Sequence, residues 1–191
     1  MTPSAKAKQT ILIVDDTPDN IMLISRLLKD KYNTKVATNG ATALQIANAT
    51  PELDLVLLDV MMPGLDGYET CRQLKANPAT ADIPVIFLTA RSQVEDEAMG
   101  LTLGAVDFLA KPISPPILFA RVATQLTLNS ARQQLREQNR QLEKIVGERS
   151  AQLAMMQAAL AAARASHADP ALQDVFIEIE RQFARIAAEF A

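Results

Sequence analysis

The chain reads as an α/β protein in two parts: a five-stranded parallel sheet wound on both faces by five helices, then a long C-terminal α-helical coiled coil. Three observations predict this. Short apolar runs (Ile11-Leu12-Ile13-Val14, Leu55-Val56-Leu57-Leu58, Val85-Ile86-Phe87-Leu88 and Val106 to Ala110) alternate with helical patterns. Each run stops on a polar residue, charged in three of the four runs, as strand ends at the lip of a sheet do. After Ile113 the texture changes, with Gly147 the one remaining glycine and no proline between Pro116 and Pro170.

Taken in order, strands are expected at about 11–15, 34–38, 54–59, 84–89 and 106–110. Helices are expected at about 18–30, 40–49, 66–76, 92–102 and from about 114 onward. The third and fourth strands are apolar throughout, which fits central positions covered on both faces. Alternation of strand and helix implies right-handed crossovers. Gly40, Gly64, Gly67 and Gly104 mark the turns.

The 191 residues suffice for one domain with an appendage. Nineteen basic against 22 acidic residues leave a net charge of −3, so no overall pull toward nucleic acid or anionic lipid is expected. The lone Cys71 excludes an internal disulfide, suits a reducing compartment and reads as a small packed side chain. Residues 1–9 are polar, without a signal-peptide core, and read as a flexible tail. No run approaches a membrane span, so a cytoplasmic protein is expected.

The first strand ends on Asp15-Asp16, the third on Asp59 before Met61-Met62-Pro63-Gly64, the fourth on Thr89, and the fifth on Lys111-Pro112. Three acids, a hydroxyl and an amine thus fall at carboxyl ends of successive strands, where open α/β sheets place their sites. This is the chemistry of a phosphoryl acceptor. The phrases Ile11 to Asp16, Leu57 to Gly67, Pro84 to Ala90 and Gly104 to Pro112, in that order, resemble the receiver domain of bacterial two-component response regulators. The resemblance runs from about Thr10 to about Leu126 and implies a flavodoxin-like fold over 10–126.

That resemblance carries roles to matching positions. Asp59 matches the phosphoacceptor, whose carboxylate acts as a nucleophile. Asp15 and Asp16 match the acidic pair that holds Mg²⁺, Asp16 directly and Asp15 through water, with the backbone carbonyl of Met61 and Asp59 completing the protein ligands. Lys111 matches the lysine that contacts a phosphoryl oxygen, and Thr89 the hydroxyl that donates to it. Phe108 matches the aromatic that turns inward when the hydroxyl residue moves, although a plain core role fits it as well. The resemblance also implies a cis bond at Lys111-Pro112, where trans is the general default. Met61 and Arg91 stand where the family tunes dephosphorylation. The implied partner is a cognate histidine kinase or phosphotransfer protein. His167, the only histidine, lacks a phosphoacceptor setting and reads as a solvated residue near a helix end.

Leu128, Leu135 and Leu142 repeat at sevens, and Val146, Leu153 and Leu160 continue the repeat after a step of four. One heptad frame places Gln125, Arg132, Asn139, Val146, Leu153 and Leu160 at a, and Leu128, Leu135, Leu142, Arg149, Met156 and Ala163 at d. Eight of these twelve are apolar, which predicts a modest coiled coil over 127–166 and a homodimer. Asn139 at a favours two parallel strands. Packing of the whole helix on its own domain is disfavoured, because about 50 residues make a rod of roughly 75 Å.

Asp169-Pro170 opens an amphipathic helix over 169–191, with Leu172, Phe176, Ile179, Phe183, Ile186 and Phe190 on one stripe. A break is expected near 165–169. Something must cover that stripe: a partner chain, the preceding helix, or an output protein. The expected function is a phosphorylation-dependent switch with no output enzyme within these residues. The stretch Leu142 to Ser150 also resembles linkers that join receivers to cyclic-di-GMP phosphodiesterase, cyclase or phosphatase domains, so a regulatory piece of a larger regulator is the alternative. A DNA-binding role is the distant third, since no helix-turn-helix pattern or basic surface follows the receiver.

Overall fold

The computed structural model describes residues 8–90, 102–166 and 170–189. The strands are β1 (Thr10–Val14), β2 (Asn33–Ala37), β3 (Leu53–Asp59), β4 (Val85–Thr89) and β5 (Asp107–Ala110). The helices are α1 (Pro18–Leu28), α2 (Gly40–Asn48), α3 (Gly67–Ala76), α4 (Pro115–Ser166) and α5 (Pro170–Glu189). All four ladders are parallel, in the order β2-β1-β3-β4-β5. The expected helix at 92–102 lies almost wholly outside the described residues, as do Arg91 and His167.

The contiguous apolar runs bury both faces, because successive strand side chains point to opposite sides. Leu12, Val14, Val56, Leu58 and Phe87 face Ala43 and Ala47 of α2 and Cys71 and Leu74 of α3. Their neighbours Ile11, Ile13, Leu55, Leu57, Ile86 and Leu88 face Ile24 and Leu28 of α1 and Leu118, Val122 and Leu126 of α4. A shift of one residue in any central strand would exchange these two layers, so register is tightly specified.

Local chemistry starts each helix. Pro18 supplies the preset φ of a first turn. The Asn39 side chain accepts from the Thr42 amide at 2.8 Å, and Asp66 from the Glu69 amide at 2.8 Å. Gly67 follows that second cap because a Cβ there would collide with the backbone of Asp59 and Val60. The turn after the third strand is thereby pressed against the residue it must present.

The chain divides into two compact units, Met1–Arg132 and Gln133–Ala191. Within the first, α4 is buried at Leu118, Val122, Leu126 and Asn129. Within the second, Leu135, Leu142, Ile145, Val146 and Met156 are exposed, while Leu153 and Leu160 are half-buried. On α5, Ile179 and Phe183 are half-buried. Helix α4 ends at Ser166 and α5 begins at Pro170, and residues 167–169, where most of the expected break falls, lie outside the described residues. Among the described residues no helix is long and apolar enough to cross a membrane.

Candidate functional site

Parallel pairing brings the carboxyl ends of β1, β3, β4 and β5 to one edge. The Asp15 amide donates to Ala37 O at 3.2 Å, the Val60 amide to Leu88 O at 3.1 Å, and the Lys111 amide to Thr89 O at 2.7 Å. These bonds continue the ladders one residue beyond the strands. They set Asp15, Asp59 and Lys111 at the lip rather than inside the sheet.

Lys111 joins the acids. Its Nζ lies 2.8 Å from Asp15 Oδ2 and 2.9 Å from Asp59 Oδ1. Asp15 is inaccessible, and its other oxygen accepts from the Thr17 amide and from Asn20 Nδ2, both at 2.9 Å. Asp16 is exposed and accepts from the Thr17 hydroxyl at 3.3 Å. The Asp59 carboxylate is nearly buried and also accepts from the Met61 amide. The Met61 side chain itself points to solvent. The peptide bond between Lys111 and Pro112 is cis.

Burial raises the Asp59 carboxyl above its usual value, aided by the nearby Asp15 charge, and the Lys111 contact only partly reverses this. Burial alone would lower the Lys111 ammonium, but its hydrogen bonds to Asp15 and Asp59 leave it raised. The lysine therefore stays charged beside a carboxylate that is only partly compensated. Such a carboxylate gains from any further positive charge.

Oxygen atoms of Asp15, Asp16 and Asp59 all lie within 4.8 Å of one another. An all-oxygen donor set with one exposed member fits a hard divalent cation that keeps several of its waters, as Mg²⁺ does. Thr89 stands half-buried at the end of β4, opposite Ala110. Phe108 is half-buried, with its ring centroid 5.6 Å from that of Phe87, which also meets Tyr68 at 5.2 Å. Phe87 and Thr89 are two residues apart on one strand and share a face. The threonine and the phenylalanine thus neighbour the same aromatic.

Sequence reasoning passed over Asn20, which orients Asp15. Its signal was faint: an amide in the first turn of a helix, five residues after the acid. Cys71 is buried, its thiol raised by that burial.

Residues 11–123 match the response regulator receiver domain. The chain belongs to that family. Its reading as a phosphorylation-dependent response regulator follows. A receiver domain from the Pseudomonas aeruginosa sensor histidine kinase PA1611, solved with a magnesium ion in its active-site cleft, superimposes with a TM-score of 0.59 at 31% identity. That comparison covers 63% of this chain and 99% of the other. The signal receiver domain of a histidine kinase from Syntrophus aciditrophicus gives a TM-score of 0.57 at 38% identity, over 62% and 90% of the two chains. Among curated relatives, a Vibrio cholerae protein named "Probable cyclic di-GMP phosphodiesterase" is 49% identical over 160 residues, 84% of this chain and 36% of that protein. Response regulator PleD of Caulobacter vibrioides is 48% identical over 113 residues, 59% of this chain and 25% of its own length. The chain thus spans about a third or less of these two relatives.

Proposed function

We propose that Asp59 accepts a phosphoryl group from a histidine kinase or phosphotransfer protein in the cytoplasm, and that α4 carries the resulting change through a homodimeric coiled coil. The observation behind this is the meeting of Asp15, Asp59 and Lys111 within 2.8 and 2.9 Å at the lip of the sheet. An Asp59 oxygen attacks phosphorus, forming a P–O bond while the P–N bond to the donor imidazole breaks and its electrons return to the ring. With acetyl phosphate as donor, acetate leaves instead. Asp16, Asp59 and the Met61 carbonyl would hold Mg²⁺, with Asp15 behind a water. When bound, the ion neutralises the acids and the incoming phosphate.

The chain's own groups do the rest. Asn20 and the Thr17 amide hold Asp15 so that its remaining oxygen faces Lys111. Lys111 is shared between two carboxylates, and its ammonium turns to a phosphoryl oxygen once Asp59 carries the group as an acyl phosphate. The Thr89 hydroxyl donates to another phosphoryl oxygen, and Phe108 follows into the space it leaves.

Support for the dimer comes from α4 itself. A groove of about 470 Å³ in the second unit is lined by Val146, Arg149, Leu153 and Met156, the a and d positions of the heptad frame, with Ile145 and Gln152 at g. Incubation with acetyl phosphate and Mg²⁺, followed by mass spectrometry, tests the acceptor. One phosphoryl group is expected on the wild type, none on Asp59→Ala and none with the metal chelated. Equal uptake by the variant moves the acceptor elsewhere.

A second reading is favoured by one comparison. The likeness to the Vibrio cholerae protein covers 160 residues, more than the receiver match at 11–123, so it takes in residues beyond the receiver. In this reading the chain is the regulatory part of a larger regulator whose output is a cyclic-di-GMP phosphodiesterase, cyclase or phosphatase. The reading frame beyond codon 191 in the source genome decides it.

A further inference from the structure

On α4 the exposure of leucine changes within one heptad frame. Leu135 and Leu142 at d are 60% and 59% exposed, which is what this helix shows where its stripe is bare. Leu153 and Leu160 at a are half-buried, as is Arg164 one turn further along the same side. Met156, the d residue between the two leucines, stays exposed, so the cover lies along the a side. On α5 the pattern is mirrored. Ile179 and Phe183 of its apolar stripe are half-buried, whereas Val175 and Ile177 beside the stripe are exposed.

Both sets belong to one compact unit, and only residues 167–169 separate Ser166 from Pro170. A connection that short makes consecutive helices antiparallel neighbours. Counting outward from it puts Leu153 and Phe183 at one level, and Ile179 at a level between Met156 and Leu160. Half-burial therefore falls at matching heights on the two helices. Composition agrees. From Ala151 to Ala165 eight of 15 residues are alanine, against one of 23 from Leu128 to Ser150. Small side chains beside the leucines leave room for the bulky side chains of a second helix. Packing of an amphipathic face is also what gives a helix such as α5 most of its stability.

We infer that α5 folds back on the C-terminal part of α4 in its own chain, with Ile179 and Phe183 seated along Leu153 and Leu160. A two-stranded coiled coil interlocks at both a and d. With these two a layers occupied, the seam open to a second copy of the chain runs from Leu128 to Val146. That limit rests on the dimer reading above, whereas the fold-back itself does not.

The test uses the full chain with Gln152→Cys and Ala184→Cys, two exposed residues next to Leu153 and Phe183 that carry none of the contact. Each lies 14 residues from the end of its helix, so without fold-back they stand roughly 30 Å apart or more. A bis-maleimide of about 10 Å reach, the spacing of packed helices, is applied to a mixture of unlabelled and isotope-labelled chains. Mass spectrometry of the linked peptides separates links within a chain from links between chains. Links between positions 152 and 184 within one chain are expected. They should fall away with Phe183→Glu, and when Gln138→Cys takes the place of Gln152→Cys. No link, links between chains only, or equal linking from position 138 overturns the inference. If Phe183→Glu does not express, Ile179→Glu is read by the same criteria. Sedimentation then tests the limit on the seam. Freeing a leucine layer for a second copy should tighten the dimer of Phe183→Glu by about tenfold or more. An unchanged or weaker dimer overturns that limit. Absence of any dimer in either protein removes the dimer reading, while the link within one chain still upholds the fold-back.

Discussion

Leucine behaves oppositely in the two units. In β3, Leu55, Leu57 and Leu58 are inaccessible, each packed between strand and helix layers of its own chain. On α4 in the second unit, Leu135 and Leu142 are 60% and 59% exposed. The residue is the same and the spacing differs. A contiguous run on a strand faces two covering layers, so it is satisfied within the chain. A seven-residue repeat on a helix makes one narrow stripe, which needs another helix to cover it. Within α4 the contrast repeats at close quarters, with Leu126 buried and Leu128 exposed two positions later. Burial of the first kind specifies a fold, and exposure of the second kind invites association.

The sharpest way to break this comparison is to charge the stripe. Replacing Leu135 and Leu142 with glutamate should convert a sedimenting dimer wholly to monomer while leaving the unfolding of the first unit unchanged, because buried d positions do not hold unpaired charge. A dimer of unaltered strength would discard the heptad frame.

Truncation separates the regions next. Leu57→Ala should lower stability by about 2–5 kcal/mol through lost burial and the cavity left behind. Leu135→Ala should leave the unfolding of monomeric protein close to wild type. Urea titration of both variants at low chain concentration reads the difference.

Lys111→Met probes the site. It strands two buried carboxylates and should cost about 3 kcal/mol at neutral pH, the low end for a broken buried pair because the lysine is partly exposed. The Asp59 carboxyl already lies above its usual value of 3.8, and losing the lysine raises it further. An acid raised on folding favours the folded state when protonated. The penalty is therefore full above its folded value and shrinks as pH falls through it. Added Mg²⁺ should offset the loss at neutral pH, which thermal melts with and without the ion would show.

The smallest effect belongs to Glu69. Hydrogen bonds from Arg72 and Gln73 lower its carboxyl from 4.5 to about 2. Any contribution is present above 4.5 and lost as pH falls toward about 2. Since the pair sits at the surface, Glu69→Gln should leave the melting temperature at pH 7 almost unchanged.

Much of this molecule can be read along the chain. Apolar runs ending on Asp15, Asp59 and Lys111 mark strands that stop at a lip, because a charged side chain needs polar partners that an apolar layer does not supply. The expected strand positions fall within about a residue of those found, since side-chain alternation and turn residues act locally. Asn20 and Asn129 could not be read this way. An amide in a helix looks the same whether it faces water, an acid at the lip of the sheet or a backbone carbonyl of another strand, and only the packing of distant segments distinguishes them.

The sequence by itself determined the alternating α/β pattern, the acids and lysine that end the strands, and a helix with a heptad stripe. These follow from the periodicity of apolar side chains and the preference of charge for the edge of a core. The tertiary structure alone decided that Lys111 bridges Asp15 and Asp59 from 96 and 52 residues away, and that α4 meets the sheet through Leu126 and Asn129 rather than through Leu128. Such contacts depend on strand order and helix rotation, which are set by the packing of all elements together and by no local stretch of the chain.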